Sequence, residues 1–251
     1  MKKIILLSSC LLGIAIVQTS DAQSIGSLLK SAGQKVTSSS KSKTSAGNSN
    51  LTESQAGSGV KDLLSTSLIN SVTALNKPNA FWQSAYKILL PEPLHTADGV
   101  LRKLNMGSVA DSAEYRMNRA AESAVAFAKP IFTDAIKQMT LTDAIGLVNG
   151  GDNSITNYFR NKTHDTLVKA FTPSIQAELD KNGSISAYSQ VVSKYNAIPL
   201  VKKANPDLSN YVAGKAVDAL FDQIGKQEKD IRTNPAAQTT SILKSVFGGG
   251  K

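Results

Sequence analysis

Residues 205–224 read NPDLSNYVAGKAVDALFDQI. Asn205 followed by Pro206 is a helix start. The Asn side chain can accept from free first-turn amides, and proline suits the first helical position because its missing N–H would have no partner there. Leu208, Tyr211, Val212, Ala216, Val217, Leu220, Phe221 and Ile224 then recur at the spacing of one helical face. A stripe this regular must be buried against another apolar surface. No run of alternating β-branched residues supplies a sheet for it, so the partner surface is expected to be other helices.

Working outward, Asn234-Pro235 repeats the start signal, and a last helix is expected to end at Val246-Phe247, before a Gly248–Gly250 tail. Upstream, Val60, Leu63, Leu64, Ser67, Leu68 and Val72 line a first helix that breaks at Asn76-Lys77-Pro78-Asn79. An aromatic segment with Phe81, Trp82 and Tyr86 follows, then a rigid turn at Pro91-Glu92-Pro93. A helix capped by Ser108, with Asp111 as the acid of a capping box, is expected to run to Lys129. Thr140 is read as the next cap, and Asp152 or Asn153 as the one after Gly150-Gly151. Pro173 should end or kink the helix it sits in, and Ser184 should cap its successor. The expected fold is all-α, a single multi-helix bundle or orthogonal helical array over residues 60–247.

The chain opens with Lys2-Lys3, an apolar run from Ile4 to Val17, and Ser20-Asp21-Ala22. This is the pattern of a secretory signal peptide over residues 1–22, cleaved after Ala22, and the run is short for a membrane span. Leu7-Ser8-Ser9-Cys10 also reads as a lipoprotein box. Lipid anchoring at Cys10 is the weaker reading because the apolar run continues past the cysteine. Residues 23–59, rich in Ser, Gly and Lys, read as a flexible linker, and 248–251 as a tail. The expected location is the periplasm or cell envelope, or outside the cell, with no transmembrane span in the mature chain.

The chain carries 28 Lys+Arg against 19 Asp+Glu, net +9. From residue 51 onward there are 22 bases and 18 acids, a mildly basic domain without a nucleic-acid footprint. Loss of residues 1–22 would remove Cys10, the one cysteine, and with it thiol and disulfide chemistry. The two histidines, His95 and His164, stand in no metal-ligand spacing, so no metal site and no cofactor are expected.

Two groups of residues are candidates for function. Glu114 and Glu122 share a helix side with Asn118, and paired carboxylates, with His164 near them, could supply an acid and a base. Arg116 and Arg119 lie close enough on the same helix to neutralise them. Phe81, Trp82 and Tyr86, with those arginines, are the candidate ligand-binding surface; alternatively the aromatics pin a crossing segment to the core.

Longer words resemble a known family. Ala128-Lys129-Pro130-Ile131-Phe132, Asp134–Thr140, Asn157-Tyr158-Phe159-Arg160, Lys194–Pro199, Asn205–Leu208, Glu228–Arg232 and Asn234–Ala237 are similar to the bacterial domain-of-unknown-function family number 4197. The resemblance spans roughly residues 60–247. It implies one helical domain behind an export signal, and no activity, cofactor or catalytic residue. Three readings of function follow. The first is a noncatalytic envelope or secreted protein that binds an envelope protein or component. The second is a carboxylate-based or cation-dependent hydrolase. The third is a lipid-binding helical domain.

Overall fold

The computed structural model describes residues 51–205 and 207–249, and these are helical with no strand among them. The signal-peptide and lipoprotein readings, and most of the linker, lie outside the described residues. The helices are α1 (Glu53–Leu75), α2 (Asp98–Lys103), α3 (Gly107–Val125), α4 (Ala128–Gln138), α5 (Ala144–Val148), α6 (Ser154–Lys181), α7 (Ser184–Asn196), α8 (Leu208–Thr233) and α9 (Ser241–Phe247), with a 3-10 turn at Pro235–Ala237.

The stripe of α8 is buried from Leu208 to Ile231 and packs chiefly on α6 and α1. α3 packs on α6 and α7, while α1 carries α4, α5 and α9 along its length. At the centre Phe132, Phe159 and Phe221 meet with ring centroids 5.6, 5.7 and 6.2 Å apart. These tilted and edge-on contacts are the favourable aromatic geometries.

The first helix begins seven residues ahead of the expected Val60. Gln55 N donates to Thr52 Oγ1 (3.2 Å) and Thr52 N donates to Gln55 Oε1 (3.0 Å), a complete capping box. Ser54–Gly59, whose composition reads as linker, is therefore helix. Its small residues serve close approach. A Cβ on Gly59 would lie 2.7 Å from Val246 Cγ2 on α9, whereas one on Gly57 would meet Leu141 at an ordinary 3.5 Å. Gly59→Ala is expected to destabilise the domain by about 1–3 kcal/mol through overpacking. Gly57→Ala should stabilise it by roughly 0.5–1 kcal/mol through helix propensity. Urea unfolding of the two variants checks the contrast.

Several caps differ from expectation. α3 starts at Gly107 with no side-chain cap, so Ser108 already lies within the helix, and Asp111 is held by Arg102 of α2 at 2.9 Å. Asp143, not Thr140, caps α5 by accepting from Gly146 N at 2.7 Å. Gly183 at φ +72° precedes α7, and Asp207, not Asn205, caps α8. Asn234-Pro235 opens the 3-10 turn, and Thr240 caps α9. α6 does not end at Pro173 but continues through it to Lys181. Pro173 lies on the exposed face, where water can serve the carbonyl its missing N–H leaves free, and Thr172 Oγ1 donates to Val168 O at 2.8 Å beside it.

Tyr188 is fully buried, and its hydroxyl donates to Asn205 O at 2.5 Å. Burial pushes it up from 10.0 to about 12. A raised value means that the folded state holds this proton more tightly than the unfolded chain. The associated stability is complete below pH 10 and is lost as pH rises from about 10 to 12, a change of order 2–3 kcal/mol. Urea midpoints at pH 8 and pH 11 should show the loss, and Tyr188→Phe should show a smaller one.

Candidate functional site

Between α1 and α2 the segment 81–90 crosses α3 in a conformation that forms no ladder, so its backbone groups need other partners. Side chains four residues apart on α3 provide them. Glu122 Oε1 accepts from Phe81 N (3.1 Å) and Trp82 N (3.4 Å). Asn118 accepts from Ile88 N and donates to Ile88 O, each at 2.8 Å, as a neighbouring strand would. Glu114 Oε1 accepts from Leu90 N at 2.9 Å. From the other side Tyr211 OH of α8 donates to Leu89 O at 3.1 Å.

Asn118 and Glu122 are buried. The second oxygen of Glu122 takes Arg119 Nη1 at 2.5 Å, and the second oxygen of Glu114 faces Lys87 Nζ at 3.5 Å. The carboxylates expected to do chemistry thus form a clamp on backbone amides, each with a cation. Phe81 is buried as a core anchor. Trp82 packs edge-on against Tyr115 (5.5 Å), with Lys87 Nζ 4.0 Å over its ring. Arg116 belongs to another contact: it donates to Asn182 O at 2.7 Å and holds the α6–α7 turn.

Tyr86 and His164 face away from this clamp, toward the outer side of α8. Tyr86 OH donates to Asp222 Oδ2 at 2.5 Å and accepts from Lys226 Nζ at 2.6 Å, and Lys226 and Asp222 pair at 2.9 Å. Partial burial, then the neighbouring Asp222 carboxylate, raises the Tyr86 phenol. The bond from Tyr86 lowers Asp222, and the bond to Tyr86 raises Lys226. One turn back on α8, Asp218 Oδ1 takes the Arg160 guanidinium and faces His164 Nε2 at 3.3 Å; His164 Nδ1 faces Asp165 at 3.0 Å. Arg160 and Asp218 form the shared wall of two adjoining surface hollows of about 700 and 390 Å³. The second is also lined by Tyr86, Lys87, Tyr211 and Lys215. This groove between α6, α8 and the 81–90 segment can hold a ligand with polar and charged groups. His95 is an exposed loop residue apart from it.

The most heavily bonded ionic pair was not among the sequence candidates. Glu228 of α8 is fully buried. Its Oε1 accepts from Ile155 N (3.1 Å) and its Oε2 from Thr156 N (2.7 Å) and Thr156 Oγ1 (2.6 Å). Glu228 thus caps α6 from another helix, so Asn153, at φ +65°, does not. Arg232 pairs with Glu228 at 2.8 Å and donates to Val148 O (2.7 Å) and Leu147 O (2.9 Å) at the end of α5. The i,i+4 spacing of Glu228 and Arg232 was visible, but such pairs commonly lie on a solvated face.

Among the described residues no group of three or more His, Cys, Asp and Glu is placed to hold a metal ion, and no helix is long and apolar enough to cross a membrane. The family model described as "Protein of unknown function (DUF4197)" matches residues 50–248. No curated protein and no solved structure matches the chain.

Proposed function

We propose that this chain, which belongs to the DUF4197 family, is a noncatalytic binding protein of the bacterial cell envelope whose recognition surface is the groove between α6, α8 and the 81–90 segment. One observation carries the reading. Glu114 and Glu122 are engaged as acceptors for backbone amides, while Arg160, Lys215, Asp218 and Tyr86 stand at an open groove. Both ring nitrogens of His164 face carboxylates, which favours an orienting role over proton transfer to a substrate. The phenylalanine faces that a lipid carrier would have to open pack on one another. The envelope location rests on the signal-peptide pattern of residues 1–22.

The test is site-specific photo-cross-linking in host cells. A photoreactive residue at position 215 should give a discrete adduct that Arg160→Glu abolishes. The same group at position 137, on exposed α4 surface, should give none. Equal adducts from both positions, or no adduct from 215, would remove the groove from consideration. Turnover of a small ester or glycoside by the purified protein, abolished by His164→Ala, would restore the hydrolase reading.

A further inference from the structure

The connection from α7 to α8 has a locked base and a bare apolar apex. Asn196 Nδ2 donates to Ala204 O (3.3 Å) and Asn196 Oδ1 accepts from Ala204 N (2.8 Å), which closes the loop. Lys203 reaches back to the carbonyls of Asn196 and Ile198. Ile198 and Val201 pack partly against the core. Between them Leu200 is 105 % exposed, against 51 % for Phe127, the next most exposed large apolar side chain described. It also holds φ +64°, in the left-handed region.

Leu200 therefore carries two costs at once: apolar surface left in water and a backbone conformation that a Cβ disfavours. Glycine would remove both without loss of any packing contact. A leucine held there, on a loop braced at its base, is suited to contact outside the domain.

The charge around it indicates what kind of contact. From Lys181 to Pro206 the chain carries Lys181, Lys194, Lys202 and Lys203 and no acid. Lys194 lies in the last turn of α7, and Lys202 is exposed beside the apex. An apolar tip with cations just behind it is the arrangement that suits an anionic bilayer surface, with the side chain entering the interface and the ammonium groups at headgroup level. A protein pocket could accept one leucine, but it would not call for an acid-free stretch spanning a whole helix and its loop.

We propose that the α7–α8 loop docks the domain on an anionic phospholipid surface, with Leu200 entering the interface and Lys194 and Lys202 facing phosphate headgroups, while Lys203 braces the loop from behind. Each lysine near such a surface contributes roughly a fivefold gain, and one inserted side chain little more, so the docking is weak, reversible and screened by salt. It is separate from the groove and does not depend on it.

Co-sedimentation of the purified protein with phosphatidylglycerol vesicles tests this, with phosphatidylcholine vesicles as control. Binding is expected to phosphatidylglycerol alone and to fade at about 0.5 M salt. Leu200→Glu should lower partitioning about tenfold or more. Leu200→Gly should lower it severalfold with an unchanged or higher melting temperature, which separates docking from folding. A Leu200→Trp variant should show blue-shifted emission on phosphatidylglycerol vesicles. Absence of binding overturns the proposal. So does full binding by Leu200→Glu without a shift at position 200, which would place the lipid contact at Lys30–Lys43 instead. Burial of position 200 by a protein partner, without vesicle binding, overturns it as well.

Discussion

Glu228→Ala is expected to lower the stability of the domain by about 3–5 kcal/mol, a large part of the 5–15 kcal/mol typical of a domain. The substitution does three things together. It leaves the first-turn amides of α6, Ile155 N and Thr156 N, without an acceptor. It removes an anion from the positive end of a long helix. It leaves Arg232, whose side chain is 11 % exposed, without its counter-charge. The remaining bonds of Arg232 to the α5 carbonyls cannot balance that charge. Guanidinium unfolding at neutral pH would measure the loss. A double variant, Glu228→Met with Arg232→Met, should lose less than the sum of the two single variants, because neither charge is then left alone. Additive losses would show that the two side chains act independently.

Asn118→Ala is expected to cost about 2–4 kcal/mol, since it leaves both the N–H and the C=O of Ile88 buried without their partner. The loss should be local as well as global. Hydrogen exchange at Phe81, Ile88 and Leu90 should rise before exchange in α8 does, because those amides depend on α3 side chains rather than on a helix ladder. Glu122→Gln is the contrasting case. It keeps an acceptor for Phe81 N and Trp82 N and loses the charged contact with Arg119, a smaller change of about 1 kcal/mol. The same experiment bears on the groove. Tyr86 and Lys87 reach it from the clamped segment, so a released segment should also weaken cross-linking from position 215. Intact cross-linking by a folded Asn118→Ala variant would show that the groove does not depend on the clamp.

Both predictions concern residues whose chemistry is plain in the sequence and whose use is not. Glu114, Asn118 and Glu122 share one helix side by spacing alone, so their proximity was legible. Nothing in their own helix indicates that a segment about 25–40 positions upstream would lie across them. Three polar side chains in a row are equally suited to hold a cation, a substrate or a backbone. The choice belongs to whatever chain segment arrives. Arg116 sits two residues from Glu114 and was expected to neutralise it, yet it turns to Asn182. Tyr86 was grouped with Phe81 and Trp82 as an aromatic, but its hydroxyl joins Asp222 and Lys226 on α8.

What the sequence by itself determined is the all-α class and the interior of the longer helices, because apolar side chains at helical spacing can be buried in only one way. From Leu208 through Ile224 the stripe is buried except for the half-exposed Tyr211 at its edge, and the small residues Ser209, Ala213 and Ala219 beside it are buried as well. Membership of the family was legible too, in words such as Asn157–Arg160 and Glu228–Arg232. The tertiary structure decided where helices begin and what their polar groups do. Ser54–Gly59 is helix from the Thr52–Gln55 capping box onward and is held there by α9 packed close on Gly59, and Pro173 was tolerated because its side of α6 faces water. The cap expected at Ser108 is absent, those expected at Thr140 and Asn205 fall to Asp143 and Asp207, and the one expected at Asp152 or Asn153 is supplied by Glu228 from another helix. The reason is common to all of these. Apolar periodicity is a property of one segment, whereas a hydrogen bond or ion pair needs two groups brought together, and the second is supplied by the fold.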